Sequence, residues 1–148
     1  MNNIKLVLDQ DVLDKYNEYY FSKHPKARKI PIEHPYHPSI NTWCILPRIQ
    51  MNALKQKWKE FGCWWIKELG YENMKLDSFS IVETVFFNSR RRHDVDNQVP
   101  KFFLDSLTES GFIVDDDEKH LHSLTLKTEY DKENPRTEFE IIIEKKEK

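Results

Sequence analysis

The chain holds 148 residues, 39% hydrophobic and 13% aromatic, with a formal net charge of −2. That length fits one domain, since domains commonly gather about 100–200 residues around one core. The net charge excludes a protein that coats nucleic acid through bulk positive charge, because that mode needs many phosphate-neutralising Lys and Arg.

Residues 4–8, Ile-Lys-Leu-Val-Leu, read as a short strand, and Val12, Leu13, Tyr16 and Tyr20 follow at helical spacing. Residues 1–28 thus form an N-terminal strand and helix, either part of the main domain or an arm on it. Pro25, Pro31, Pro35, Pro38 and Pro47 exclude a helix from the next stretch. A strand near 29–34 and then a loop are expected there. In residues 48–69, Met51, Leu54, Trp58, Phe61, Trp65 and Leu69 step by three or four, which predicts a helix stopped by Gly70. Residues 77–87 alternate Phe79, Ile81, Val85 and Phe87 with Val82 and Phe86, so both faces are apolar and the strand should be central.

A second helix is expected after Asn97 as cap, with Pro100 in its first turn, an inner face of Val99, Phe102, Phe103, Ser106 and Leu107, and Gly111 at its end. Phe112 to Val114 lead into an acidic block at 115–118. Leu124, Leu126, Thr128 and Tyr130 alternate, as do Thr137, Phe139, Ile141 and Ile143, which predicts a C-terminal hairpin. The sum is an α+β fold, one domain with two main helices on a mixed sheet, ending in a charged tail at 145–148. Cys44 and Cys63 are the only cysteines, and the first residues lack the order of a signal peptide. No apolar run approaches the ~20 residues of a membrane span. A cytoplasmic protein without a membrane role is expected.

Asp94 and Asp96 stand at i and i+2 just beyond the apolar strand, and in extended backbone both side chains would lie on one side. Two such carboxylates repel unless a cation sits between them. Hard oxygen donors suit Mg²⁺ or Mn²⁺, which use few protein ligands and leave positions for a phosphate. Arg90, Arg91 and Arg92 immediately upstream supply donors for neighbouring phosphates. An acid from the block at 115–118 can complete the set, and Lys101 can stabilise charge growing on phosphorus.

The stretch Arg90-Arg-Arg-His-Asp-Val-Asp-Asn97, then Lys101, then Gly111-Phe-Ile-Val-Asp-Asp116 resembles the core of the RusA-type Holliday junction resolvases. Pro35-Tyr-His-Pro-Ser-Ile-Asn41 is similar to that family's Pro-rich N-terminal segment. The resemblance covers roughly Pro35 to Ile143, so that 29–144 would be the endonuclease domain. It implies Mg²⁺ held by Asp94, Asp96 and Asp115 or Asp116, with Asp116 the best match to the family's third acid. It further implies Lys101 as the essential lysine, Asn97 and the three arginines at the DNA, and a homodimer that nicks two strands of a four-way junction symmetrically. A bacterial or phage recombination or repair role is implied as well. One extra residue separates Asp96 from Lys101 relative to the family spacing, and Asp117 leaves the choice within the acidic block open.

Simpler readings stand beside this one. Acids near a helix start also stabilise its dipole, arginine runs are commonly solvated, and turns favour Asp. A calcium loop from Asp94 would need Gly at 99 and Glu at 105, where the chain has Val99 and Asp105. His34, His37 and Cys44 lack a standard zinc spacing, and His120 and His122 are expected to face solvent. Two further functions are open: a non-catalytic nucleic-acid-binding module, and a metal-dependent nuclease or phosphatase with another substrate.

Overall fold

The computed structural model describes residues 3–144, and the tail expected at 145–148 lies outside the described residues. The first strand, β1 (Ile4–Leu8), alternates, so that Leu6 and Leu8 are buried while Lys5 points outward to Glu138, 3.0 Å away. Helix α1 (Gln10–Lys23) starts where the Asp9 carboxylate accepts a hydrogen bond from the Val12 N–H at 3.1 Å. That cap satisfies one of the orphan donors of the first turn. Leu13 and Tyr16 on its inner face are fully buried. The opening of the chain therefore belongs to the same sheet and core as the rest.

The strand expected near residues 29–34 does not form. Pro31 and Pro35 have no N–H to give a ladder, and the segment is held instead by individual contacts. Ile32 is buried, and the Thr137 hydroxyl donates to the Pro35 carbonyl at 2.7 Å. A short helix, α2 (Ile40–Trp43), follows.

Helix α3 (Arg48–Glu68) matches the apolar periodicity, burying Trp58, Phe61, Trp65 and Ile66. It stops at Gly70, whose φ of 80° suits a residue without Cβ. There Gly70 N–H bonds Lys67 O and Tyr71 N–H bonds Ile66 O, both at 3.0 Å, which satisfies two of the last carbonyls.

Strand β2 (Phe79–Phe87) is central, as its apolar faces predict. The sheet order is β1-β4-β2-β3, with β3 spanning Leu121–Tyr130 and β4 spanning Arg136–Ile143. β2 runs parallel to β3 and antiparallel to β4, which in turn runs antiparallel to β1, so the sheet is mixed. The connection at 131–135 reverses the chain as expected, and β3 and β4 take places on either side of β2. The doubly apolar strand is the one with most to gain from neighbours on both edges.

The core gathers Leu6, Leu8, Phe79, Ile81, Phe139 and Ile141 from the sheet with the buried faces of α1, α3 and the later helix α4 (Lys101–Glu109). On the other side of β2, Arg136 lies 3.7 Å from the Phe86 ring and pairs with Glu138 at 2.7 Å. The fold is α+β, with helices packed on a four-stranded mixed sheet. Among the described residues, no helix is long and apolar enough to cross a membrane.

Candidate active site

β2 and β3 are parallel and finish together, with Phe87 opposite Tyr130. The chain leaving β3 crosses this end, where Asp131 N–H donates to Phe87 O at 2.8 Å. The Asp131 carboxylate accepts from the N–H groups of Glu133 and Asn134 and pairs with Arg136 at 2.7 Å. These contacts, led by the Arg136 hydrogen bond, hold its pKa below the ordinary range. The crossing turn is thus fixed beside the segment that leaves β2.

That segment carries the arginine run. Arg90, Arg91 and Arg92 are all exposed. Arg90 places its guanidinium 4.3 Å from the Tyr130 ring, and Arg92 lies 3.3 Å from the Asp94 carboxylate. His93 lies face to face on Phe87, with ring centroids 3.6 Å apart. Its Nε2 is buried and has no hydrogen-bond partner among the described residues.

Asp94 and Asp96 are exposed, but their expected arrangement does not hold. Asp94 is extended, yet its carbonyl accepts from Asn97 N–H at 3.1 Å and opens a 3₁₀ turn over Val95–Gln98 that contains Asp96. A 3₁₀ turn has three residues per turn, so positions two apart do not share a side as they do in a strand. Asn97 is likewise inside this turn and does not cap α4. The N-cap position is Pro100, which has no side-chain hydrogen bond to offer.

The cap comes from far away in the sequence. His37 is 4% exposed, and its Nε2 accepts the Phe102 N–H at 3.0 Å while its Nδ1 lies 2.8 Å from Pro38 O. With Nε2 accepting, Nδ1 carries the proton and donates to that carbonyl. Burial pushes its pKa down to about 4, so the ring is neutral at pH 7. With both nitrogens engaged by backbone, His37 has no lone pair left for zinc. No spacing rule would have linked residue 37 to the first turn of α4.

α4 presents Lys101 at its exposed start, 3.5 Å from Asp105 one turn on. After the helix the chain turns at Gly111, and residues 73–76 bind it through Asn73 N–H to Ser110 O, Lys75 N–H to Gly111 O and Leu76 N–H to Phe112 O. This clasp fixes the acidic turn. Asp115 Oδ1 accepts the Asp116 N–H at 2.7 Å. The Asp116 carboxyl is raised above its ordinary pKa by burial, then by its hydrogen bond with Asp115 and the charge of Asp105, while Lys101 opposes the rise. Asp117 is already engaged: its carboxylate accepts Lys119 N–H and its carbonyl accepts the N–H groups of His120 and Leu121, starting β3.

The structure therefore brings together Lys101, Asp105, Asp115 and Asp116, and leaves Asp94 and Asp96 on the preceding turn. Among the described residues, no group of three or more His, Cys, Asp or Glu side chains is arranged to hold a metal ion. Asp105 was not singled out as a site residue from sequence, although its i,i+4 spacing from Lys101 is a visible signal. Of the two histidines expected to face solvent, His122 is exposed and bonds Ser78 at 2.7 Å, whereas His120 is partly buried and tied to Asp77 at 2.8 Å. Neither a family model nor a curated protein matches this chain.

Proposed function

We propose that the protein is a divalent-metal-dependent endodeoxyribonuclease acting on branched DNA, with the four-way junction as its substrate. The observation that carries this reading is the cluster of Lys101 and Asp105, on the first turns of α4, with Asp115 and Asp116 of the turn that follows the helix, reached directly from an exposed arginine run. The donor chemistry fits Mg²⁺ or Mn²⁺: Asp115 and Asp116 offer only carboxylate oxygens, and Asp116 resists carrying its charge beside its neighbours. These two would hold the ion, and Asp94 and Asp96, which lie on the exposed turn just before α4 and are not gathered with them, would have to swing in to join. When bound, such an ion activates water and offsets charge on a scissile phosphate.

The chain's own residues supply the rest. Arg90, Arg91 and Arg92 hold phosphates flanking the cut, and Asn97 contacts the same strand. Lys101 stabilises the negative charge that grows during attack. Its place is set by His37, which holds the first turn of α4. A homodimer would present two such sites to a two-fold substrate. The RusA resemblance of residues 90–116 and a cytoplasmic role in recombination or repair belong to this same proposal.

A second reading has one observation in its favour. Asp94 and Asp96 are not gathered with the later acids, as a binding module that never cuts would allow. Incubating the protein with a labelled four-way junction in Mg²⁺ and in EDTA separates the two. Paired nicks in Mg²⁺ that vanish in EDTA support the nuclease. Binding without cleavage in Mg²⁺ or Mn²⁺ supports the module, and cleavage of flaps or single strands in preference to junctions would transfer the same chemistry to another substrate.

A further inference from the structure

A cavity of about 540 Å³ opens beside the arginine-bearing segment, between the Pro-rich stretch at 29–39, α3 and the end of β2. Its size lies within the ~300–1,000 Å³ of small-ligand sites. The walls are aromatic. Tyr36 packs on Phe87 with centroids 5.1 Å apart, Phe87 carries His93 flat on its ring, and Trp58 lines the α3 side. Tyr36 is kept protonated by burial, so its hydroxyl stays a neutral donor and acceptor.

Two polar side chains lining this cavity are unpartnered by the fold among the described residues, His93 at its buried Nε2 and Gln98. Gln98 is 6% exposed and lines the cavity, yet its amide makes no hydrogen bond among the described residues. The amide is not sealed off, because neither of its polar atoms is among the enclosed ones that lack a partner, so a ligand entering the cavity can take up both its donor and its acceptor. Lys29 and Lys57 also line the cavity, with Glu33 the one acid among them, and the exposed arginines continue from His93. Flat apolar walls, a paired donor and acceptor, and cations at the rim together match an unstacked nucleobase with its flanking phosphates. A peptide or an aliphatic ligand would use neither the aromatic walls nor the clustered cations as fully.

We infer that this cavity receives a single unstacked base from the DNA strand held by the arginine run, with Gln98 reading its edge and Tyr36 and His93 packing on it, His93 backed by Phe87. The inference rests on the nucleic-acid reading above. It adds that the enzyme takes hold of a base exposed at the crossover, so that junctions with an unpaired nucleotide there are preferred.

The test measures binding by fluorescence anisotropy in EDTA, so that no strand is cut. The probes are a four-way junction with one unpaired nucleotide at the crossover, the same junction with an abasic sugar at that position, and a short single strand. The unpaired-base junction should bind roughly tenfold more tightly than the abasic one, the scale of one base stacking on aromatic side chains. That ratio should fall towards one in Gln98→Met, which keeps side-chain volume and removes a partnerless amide, so its folding is not at risk. Tyr36→Leu should lower the ratio as well. A ratio near one in the wild type, or a ratio unmoved by both variants, overturns the pocket while leaving junction binding intact. If no junction binds but the single strand binds in a Gln98-dependent way, the branched-DNA reading fails and the pocket stands. If no probe binds, both fail.

Discussion

Glu83 and Asp116 are both carboxylates held above their ordinary pKa, and they reach that state differently. Glu83 sits in the middle of β2, fully buried, with neither carboxylate oxygen hydrogen-bonded among the described residues, and burial pushes it up to about 8. Asp116 sits in an open turn, where burial, Asp115 and Asp105 raise it and Lys101 pulls it down. A raised carboxyl in the core reports the cost of desolvation alone. One that shares its surroundings with other acids and a lysine, within reach of solvent, has partners that a cation or a phosphate can join. The acidic turn after α4 therefore has the character of a site, and the middle of β2 does not.

The largest expected effect tests the buried half of that contrast. The folded state keeps the Glu83 proton up to about pH 8, whereas the unfolded chain releases it near 4.5. Its contribution to stability is therefore full below the unfolded pKa and is lost as pH rises through the folded one, by about 5 kcal/mol in all. Glu83→Leu should raise the urea midpoint strongly at about pH 8.5 and little at about pH 5. An equal gain at both values would show that the carboxyl has a partner after all.

At the other end, Asp116→Asn should lower Mg²⁺-dependent junction cleavage by at least about 100-fold, beyond the ~10–100-fold of losing an outer-shell partner of a metal. That is about 3 kcal/mol or more in the barrier. Binding should survive, because a neutralised acid repels phosphate less. Asp117→Asn should cost far less activity, since that carboxylate is spent on the turn into β3. Comparable losses in both would show that the acidic turn acts through its fold.

The elements were readable where periodicity or glycine governs: α3 from its apolar spacing, β2 from its two apolar faces, and the stop at Gly70. The strand expected near 29–34 failed because prolines forbid the ladder that its apolar residues suggest. In the site, the residue types were visible and their geometry was not. Asp94 and Asp96 looked paired only if the backbone stayed extended, and the hydrogen bond from Asn97 N–H to Asp94 O curls it instead. The missing cap of α4 was found by His37 across 65 positions of sequence, a distance at which no local pattern operates.

His37 ties α4 to α3, and its titration runs opposite to that of Glu83. The unfolded ring takes a proton near 6.5 and the folded ring only near 4. Stability from His37 is therefore full above the unfolded pKa and falls by about 3 kcal/mol as pH drops through that window. Where the two windows overlap, between about 4.5 and 6.5, the slopes from Glu83 and His37 should largely cancel. His37→Phe keeps a ring between Trp58 and Phe102 but leaves the Phe102 N–H without its acceptor, a loss of roughly 1–3 kcal/mol. In urea titrations it should abolish the acid-side loss. An unchanged acid limb would mean that some other group sets it.

The smallest effect concerns how firmly the edge is tied to the core. α3 and α4 cross where Gly62 meets Ser106, so closely that a Cβ on Gly62 would lie 1.8 Å from the Ser106 hydroxyl oxygen. Gly62→Ala gains about 1 kcal/mol of helix propensity and forfeits more through overpacking, for a net loss of about 2 kcal/mol. Adding Ser106→Gly should recover part of it, because the clash is with that side chain, and a double-mutant cycle on urea midpoints reads the coupling directly. The shift should also reach Lys101, since α4 is one short helix and moves as a body. If Gly62→Ala lowers stability yet leaves junction cleavage at the wild-type rate, the cluster at the start of α4 tolerates displacement. A charge-stabilising lysine would not, because its effect depends on standing within a hydrogen bond of the reacting oxygen.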